Sequence, residues 1–229
     1  MSIINTNYRY ERKFDCKNIS LQYIKLIIKN NPLLFNEIYQ PRWINNIYFD
    51  TLGLSNYYDS IMGINKRIKV RIRWYGEFFS VNYKPVLEFK NKVGFIGKKN
   101  LFKIQPFVMD TQNSINQLNE LLQISELPDK IKYFVKELSP VLCIRYKRRY
   151  YRSANRKFRI TIDNELSYSG YNSISYLSFK KFSNDSHKIL ELKYKYSFQD
   201  AAPKITNYLP FRMTKFSKYA MCLKKSFNH

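Results

Sequence analysis

Several segments of the chain alternate apolar and polar residues, which is the pattern of β-strands with one buried face. This pattern, rich in β-branched and aromatic residues, predicts strands over residues 8–14, 43–50, 67–74, 86–90, 141–151, 158–163 and 189–194. Apolar residues three and four apart predict helices over residues 20–29, 115–124, 130–138 and 214–224. No repeat, low-complexity linker or Pro/Gly/Ser-rich hinge interrupts the chain, so we expect one α+β domain, Met1 to His229, built mostly on antiparallel sheet.

The charged residues of the predicted strands are sorted onto one face. Residues i and i+2 of a strand share a face, and the strand at residues 67–74 places four cations opposite four apolar side chains. The charged rows are Arg9, Glu11 and Lys13; Arg67, Lys69, Arg71 and Arg73; Glu88 and Lys90; Arg145, Lys147 and Arg149; Arg159 and Asp163; and Glu191 and Lys193. One such strand is typical of a half-solvated sheet. A whole set that presents mainly Arg, Lys and Glu favours a shared ionic surface instead.

A closed antiparallel barrel explains this set if its apolar faces pack outward against the helices and its charged faces line the bore. Unpaired ions removed from water cost on the order of several kcal/mol each, and Glu11, Glu88 and Glu191 are too few to neutralise the cations. We therefore expect a polyanion in the bore. Carboxylates also bind hard divalent cations such as Mg²⁺ or Mn²⁺, so the pattern predicts a metal-containing channel for a phosphate chain.

The overall charge points to the same kind of partner. The 229 residues include 40 Lys and Arg against 17 Asp and Glu, a formal charge of +23, and such self-repulsion is tolerated most easily when a polyanion neutralises part of it. The cysteines, Cys16, Cys143 and Cys222, form neither a zinc motif nor a disulfide framework. No apolar run is long enough for a signal peptide or a membrane span. The sequence therefore predicts a cytoplasmic protein with no membrane span.

Seven short motifs, in order, resemble a known family. The segment YRYERKF is similar to the E-x-K opening of the triphosphate tunnel metalloenzymes. Together with it, the later segments resemble the vacuolar transporter chaperone (VTC) type polyphosphate polymerase domain; they are KVRIRWYG, VLEFKNK, IRYKRRYYRS, FRITIDNEL, ILELKYK and TKFSKY. The resemblance spans nearly the whole chain. It implies an eight-stranded closed antiparallel tunnel, with a charged bore and flanking helices.

The resemblance also implies roles for individual residues. Glu191 corresponds to the metal-binding glutamate of the family, and Glu11 and Glu88 are expected to assist it. The residues expected to act on the transferring phosphates are Lys13, Arg71, Arg73, Lys90, Arg145, Arg159, Lys193 and Lys218. The residues expected to bind other parts of the substrate are Arg9, Lys69, Lys98, Lys99, Arg148, Arg149 and Ser217. Arg9 stands where a complete E-x-E-x-K opening has its first glutamate, which disfavours a two-metal hydrolase.

The resemblance implies an enzyme that transfers the γ-phosphate of ATP to a growing inorganic polyphosphate chain with Mn²⁺ or Mg²⁺. Phosphoryl transfer depends mainly on positioning and charge stabilisation, which a basic bore provides. Hydrolysis of tripolyphosphate or nucleoside triphosphates in the same channel is the alternative, because water can replace the chain end as acceptor. A non-catalytic polyanion-binding protein is a third possibility, suggested by the net charge. The expected partners are ATP and polyphosphate, without nucleic acid.

Overall fold

The structure is a computed structural model that describes residues 9–93, 96–109, 115–170 and 182–227 of the chain. The strands in these ranges are β1 (Arg9–Asp15), β2 (Asn36–Asp50), β3 (Lys66–Tyr75), β4 (Val81–Asn82), β5 (Val86–Val93), β6 (Ile96–Lys103), β7 (Phe107–Val108), β8 (Ser139–Arg152), β9 (Phe158–Gly170), β10 (Ser183–Asp185), β11 (Ile189–Lys195) and β12 (Arg212–Thr214). The α-helices are α1 (Leu21–Lys29), α2 (Ser55–Met62), α3 (Ile115–Ile124), α4 (Asp129–Lys136), α5 (Pro203–Thr206) and α6 (Lys218–Ser226).

The strands predicted from the alternation are confirmed, and so are the first three predicted helices. The predicted C-terminal helix starts later than expected, because Thr214 belongs to β12 and Ser217 caps α6 by accepting a hydrogen bond from the Ala220 N–H. The alternation did not predict α2 or β6. In the sequence of β6 (IGKKNLFK) three consecutive polar residues interrupt the apolar ones, so it lacks the alternating apolar row that identifies a half-buried strand.

One antiparallel sheet dominates the fold. Its strands follow the order β12, β1, β11, β9, β8, β2, β3, β5, β6, and β10 also pairs with β9. The predicted closed eight-stranded barrel is therefore wrong: among the described residues the sheet has ten strands and two free edges, β12 and β6. The physical reason lies in β1, whose second edge is paired with β12 from Lys13 to Asp15, so those backbone groups cannot pair with β6.

Strands β1 and β6 nevertheless approach one another. Cα atoms of β1 and β6 come within 8 Å, and Nζ of Lys90 on β5 lies 3.3 Å from Oε2 of Glu11 on β1. Irregular register in β2 and β8, including the shift between Arg145 and Lys147, adds local bending. The result is a curved sheet with an ionic seam in place of the missing backbone pairing.

The apolar faces of the strands pack against helices, as predicted. On one side Ile72, Trp74 and Leu87 pack with residues of α3 and α4. A second cluster joins β9, β11 and β1 to Ile24 and Ile28 of α1, which are one helical turn apart on a common face. Burying these side chains removes apolar area from water. Because alternate residues of a strand point to opposite faces, the charged residues between them must lie on the other side of the sheet.

Helix α6 packs on that opposite side. Its Tyr219, Cys222 and Leu223 contact a cluster that includes Ile44 of β2 and Leu142 of β8. Cys222 is buried, as are the other two cysteines, and all three are free thiols. Within the described ranges, each helix is too short or too polar to span a membrane. Helix α6 therefore covers one end of the side of the sheet on which the charged rows lie.

Candidate functional site

The side of the sheet that carries the charged rows and α6 is called the inner face below. Cross-strand neighbours in an antiparallel ladder point to the same face, so the register shows which charged residues meet. The directly opposed pairs on the inner face are Arg71 with Glu88, Lys69 with Lys90, Lys13 with Glu191, Glu11 with Lys193, Arg148 with Asp163, and Lys193 with Arg159. The charged rows of β1, β3, β5, β9 and β11 thus share one surface.

Glu88 is the centre of the first ionic cluster on the inner face. Its side chain is only 1% exposed. Arg71 Nη2 lies 2.5 Å from Glu88 Oε1, while Arg73 Nη1 and Lys99 Nζ lie 3.5 and 3.0 Å from Oε2. Burial by itself would raise the pKa of Glu88, but Arg71, Arg73 and Lys99 lower it to about 2. Glu88 is therefore an anion at neutral pH, held among three cations.

Polar groups of β2 and β8 hold the two arginines of this cluster in place. Arg71 Nη1 donates to the Tyr48 hydroxyl at 2.7 Å. Arg73 Nε donates to Asn46 Oδ1 at 2.9 Å, and Arg73 Nη2 donates to the Tyr146 hydroxyl at 3.3 Å. The buried Nε of Arg71 has no hydrogen-bond partner among the described residues. The guanidinium of Arg71 is therefore held by its two Nη atoms, while its Nε is buried and unpaired.

A second cluster surrounds Asp163 and Glu191, which are both buried. Arg148 donates to both oxygens of Asp163, at 2.5 and 2.6 Å, and to Glu191 Oε2 at 3.4 Å. Lys218, the first residue of α6, donates to Asp163 and lies 3.9 Å from Glu191 Oε1. Lys193 Nζ donates to Glu191 Oε2 at 2.6 Å. Burial opposes ionisation of Glu191, but Lys193, Arg148 and Lys218 outweigh it and hold its pKa well below the usual range.

A third group of contacts lies at the seam. Lys13 Nζ lies 3.7 Å from Glu11 Oε1 and 3.8 Å from Glu191 Oε1. Across the seam, Lys69 Nζ donates to the Ser217 hydroxyl at 2.7 Å. Burial first, and then nearby cations including Lys13 and Lys90, lower the pKa of Lys69 to about 7. Among the described residues, no carboxylate lies within ion-pair distance of Lys69, whereas Lys90 pairs with Glu11 and Lys99 pairs with Glu88.

The structure brings most of the predicted residues together. In addition to the three glutamates, the clusters contain Lys13, Lys69, Arg71, Arg73, Lys90, Lys99, Arg148, Lys193, Ser217 and Lys218. Arg159 lies on the same face, opposite Lys193. Arg9 begins β1, and its side chain lies outside the described part of the chain.

Three predicted residues lie elsewhere. Arg145 and Arg149 are an odd number of residues from Arg148 on β8, so their side chains point to the face opposite to that of Arg148. Arg145 pairs there with Glu77 at 2.8 Å, and Arg149 pairs with Glu37 at 3.1 Å. Lys98 precedes Lys99 on β6, so it also points away from Glu88. The motif IRYKRRYYRS offers five cations on both faces, which is why the sequence alone did not single out Arg148.

The sequence prediction omitted two kinds of residue from the site. Asp163 was recognised as sharing a row with Arg159 but was not proposed as a site residue, although it anchors both Arg148 and Lys218. Asn46 and Tyr48, which hold Arg73 and Arg71, were not proposed either. Asp163 is two residues from Thr161 and four from Arg159, so it shares their face of β9, and this spacing is the signal that could have identified it. Uncharged supporting residues leave no such signal.

The inner face fits a divalent cation bound by few protein ligands. Glu11 and Glu191 flank Lys13, so this position already accommodates a cation between two carboxylates. Among the described residues there is no group of three or more His, Cys, Asp or Glu side chains that could hold a metal. A hard cation here would therefore use one or two carboxylates and complete its coordination with phosphate oxygens and water, as Mg²⁺ usually does.

A curved antiparallel sheet with α1, α3 and α4 on its outer side and converging ionic rows on its inner face is a tunnel-like fold. The chain belongs to the VTC domain family, which matches residues 8–227. The resemblance of the sequence motifs to this family is therefore confirmed. A search of the curated proteins found no match.

Solved structures share the fold over nearly their whole length. The PH1819 protein from Pyrococcus horikoshii OT3 is 15% identical with a TM-score of 0.53, and the match covers 95% of this chain and 99% of that one. HpAC1 from Hippeastrum, a proposed adenylyl cyclase described as having a dominant triphosphatase activity, is 13% identical with a TM-score of 0.53 and 95% coverage of both chains. A proposed adenylate cyclase from Vibrio parahaemolyticus is 8% identical with a TM-score of 0.51, covering 97% of this chain and 98% of that one. The family and the shared fold support a triphosphate tunnel enzyme.

Proposed function

We propose that residues 1–229 form one catalytic domain that transfers the γ-phosphate of ATP to the end of a growing inorganic polyphosphate chain. The observation that carries this proposal is the convergence on the inner face of cations in excess over carboxylates. Only Glu11, Glu88, Asp163 and Glu191 oppose Lys13, Lys69, Arg71, Arg73, Lys90, Lys99, Arg148, Lys193 and Lys218 in the described clusters. A bound chain of phosphates would supply the missing negative charge.

In this proposal the arginines and lysines perform most of the catalysis by positioning and by charge stabilisation. Arg71 and Arg73 are fixed by Glu88, Tyr48 and Asn46, so they are preorganised to bind phosphate oxygens through their remaining donors. Lys218, at the N-terminus of α6, adds a fixed positive charge. These groups would stabilise the negative charge on the transferring γ-phosphoryl group without moving.

A divalent cation is part of the proposal. Glu191 and Glu11 would hold Mn²⁺ or Mg²⁺, and the ion would neutralise charge on the phosphate oxygens. Both carboxylates remain ionised at neutral pH, since neighbouring lysines keep the pKa of each below its usual value against the opposing effect of burial. Removing the ion is expected to abolish turnover.

Hydrolysis in the same channel is the second candidate, and the described triphosphatase activity of HpAC1, which shares the fold, favours it. The two reactions differ only in the acceptor of the phosphoryl group. Incubating the protein with ATP and Mn²⁺ separates them: long chains that stain as a ladder on a gel support the polymerase, whereas release of orthophosphate alone supports the triphosphatase. Binding of polyphosphate that needs no metal and yields neither product would contradict both enzymes and leave a polyanion-binding protein.

A further inference from the structure

Three tyrosines and one arginine lie on the inner face toward the end of the sheet that α6 does not cover. These residues, Tyr39, Arg42, Tyr75 and Tyr150, are called the tyrosine rim below. None of them belongs to the ionic clusters described above. Tyr39 and Arg42 come from the irregular half of β2, Tyr75 ends β3, and Tyr150 lies near the end of β8.

The register places the tyrosine rim on the inner face. Tyr39 lies opposite Tyr150, and Arg42 lies opposite Arg148. The rings of Tyr39 and Tyr150 meet edge to face with centroids 5.8 Å apart. The Arg42 guanidinium carbon lies 4.7 Å from the Tyr39 ring centroid and 5.9 Å from that of Tyr150. Tyr75 also faces inward, because the same ladder of β3 places Arg71 and Arg73 there.

The rim has the accessibility expected of a binding surface. Tyr39 and Tyr75 are each 52% exposed, and Arg42 is exposed as well. In the described part of the chain, no carboxylate lies within ion-pair distance of Arg42, and its contacts are the two tyrosine rings. Exposed aromatic rings beside an arginine provide flat surfaces on which a planar base can stack.

The distance between the rim and the ionic clusters suits a nucleotide. Tyr150 is two residues from Arg148 on the same face of β8, a spacing of about 7 Å along a strand. This is comparable with the span of a ribose between a triphosphate and its base. Burial raises the pKa of Tyr150 to about 12 despite the opposing effect of Arg148, so its hydroxyl stays neutral at physiological pH and does not repel a nearby phosphate.

We propose that the tyrosine rim is a nucleobase platform: the base of a nucleoside triphosphate stacks on an exposed ring of the rim, that of Tyr39 or Tyr75, while its phosphates lie among the inner-face cations. The inference rests on the proposed function and deepens it, because it names the nucleoside part of the substrate as recognised. If the rim only stabilised the irregular end of β2, substitutions in it would change the affinity for a nucleotide and for an inorganic triphosphate equally. Nucleotide and inorganic triphosphate therefore serve as the two probes.

The test measures binding of two non-transferable analogues to the full chain with Mg²⁺ by calorimetry: adenosine 5′-(β,γ-imido)triphosphate and inorganic diimidotriphosphate. In the double variant Tyr39→Leu, Tyr75→Leu, we expect affinity for the nucleotide analogue to fall about tenfold, with affinity for the inorganic analogue unchanged. The double variant Tyr39→Phe, Tyr75→Phe keeps the rings and is expected to restore nucleotide binding. Tyr133→Leu, at a 74% exposed tyrosine on α4, is the matched control.

The outcomes are distinguishable. Equal losses for both analogues, or no loss for either, would overturn the platform while leaving phosphate binding on the inner face intact. A wild-type protein that binds both analogues with equal affinity would also overturn it. A wild-type protein that binds neither analogue would contradict the proposed function, and the platform with it. Circular dichroism of each variant shows whether the fold is retained.

Discussion

The carboxylate of Glu88 is buried directly against the guanidinium of Arg71, with Oε1 and Nη2 2.5 Å apart on neighbouring strands. The two residues are also opposed in the β3–β5 register. Removing either partner alone would leave a buried charge without its closest counterion, which is costly. The pair therefore fixes Arg71 for ligand binding and couples the stability of the site to pH.

The first prediction concerns stability in acid. The pKa of Glu88 falls from its ordinary value of 4.5 to about 2 on folding, so the stabilisation is fully present above pH 4.5 and is lost as the pH falls toward 2. The expected loss from this group is about 3 kcal/mol in the free energy of unfolding. Urea unfolding at several pH values between 6 and 2.5 measures it. Glu88→Gln should flatten this dependence, and an unchanged slope would contradict the assignment.

The second prediction uses adjacent arginines on opposite faces of β8. Arg148 contacts Asp163 and Glu191 inside, whereas Arg149 pairs with Glu37 outside. Arg148→Ala is expected to lower kcat/KM for ATP at least about 100-fold, as loss of a preorganised charge donor does, and Arg149→Ala is expected to change it less than about threefold. Steady-state kinetics on both variants, with circular dichroism to confirm folding, make the comparison. Equal falls in kcat/KM for the two variants would contradict the assignment of the active site to the inner face.

The third prediction concerns the pH dependence of binding. Burial first, and then neighbouring cations, lower the pKa of Lys69 to about 7, so this residue is protonated below that pH and neutral above it. Because the protonated form attracts phosphate, affinity for tripolyphosphate should fall as the pH rises from 6 to 8.5. Arg remains charged throughout this range, so Lys69→Arg should bind with much weaker pH dependence. Identical profiles for the two proteins would exclude Lys69 as the titrating group.

The fourth prediction separates metal binding from phosphate binding. Glu191→Gln removes a proposed metal ligand but also removes a negative charge from a cationic surface. Metal-dependent turnover is expected to fall at least about 100-fold, while tripolyphosphate binding in the presence of a chelator stays the same or becomes tighter. Glu165→Gln, at a half-exposed glutamate near Lys147, is the control. Turnover at the wild-type rate in Glu191→Gln would remove this residue from the metal site.

The sequence predicted the strands of the inner face well, because period-2 alternation directly encodes which side chains share a face. It predicted that Arg71, Arg73, Lys90 and Glu191 converge on one channel. In the structure Arg71 and Arg73 both pair with Glu88, and ion pairs through Glu11 and Lys13 connect Lys90 with Glu191. It could not predict that the sheet stays open. That result depends on β12, a three-residue strand with no alternation long enough to recognise, which takes the second edge of β1.

The sequence could not predict that Arg145 and Arg149 point away from the inner face, for a similar reason. In a strand whose two faces both carry cations, alternation shows only that adjacent side chains point to opposite faces. Which of Arg148 and Arg149 points to the inner face depends on partners elsewhere in the chain. Asp163 lies 15 residues from Arg148 along the chain and Glu37 lies 112 residues from Arg149. Such long-range pairing is visible only in the folded protein. The supporting contacts of Asn46 and Tyr48 are hidden from the sequence for the same reason.

A crystal structure with Mn²⁺ and adenosine 5′-(β,γ-imido)triphosphate tests most directly whether the inner face binds phosphates. We expect phosphate density between Arg71, Arg73 and Lys218, with an anomalous manganese peak beside Glu191. Phosphates bound instead on the outer face, at Arg145 and Arg149, with no ligand among the inner-face cations, would contradict it.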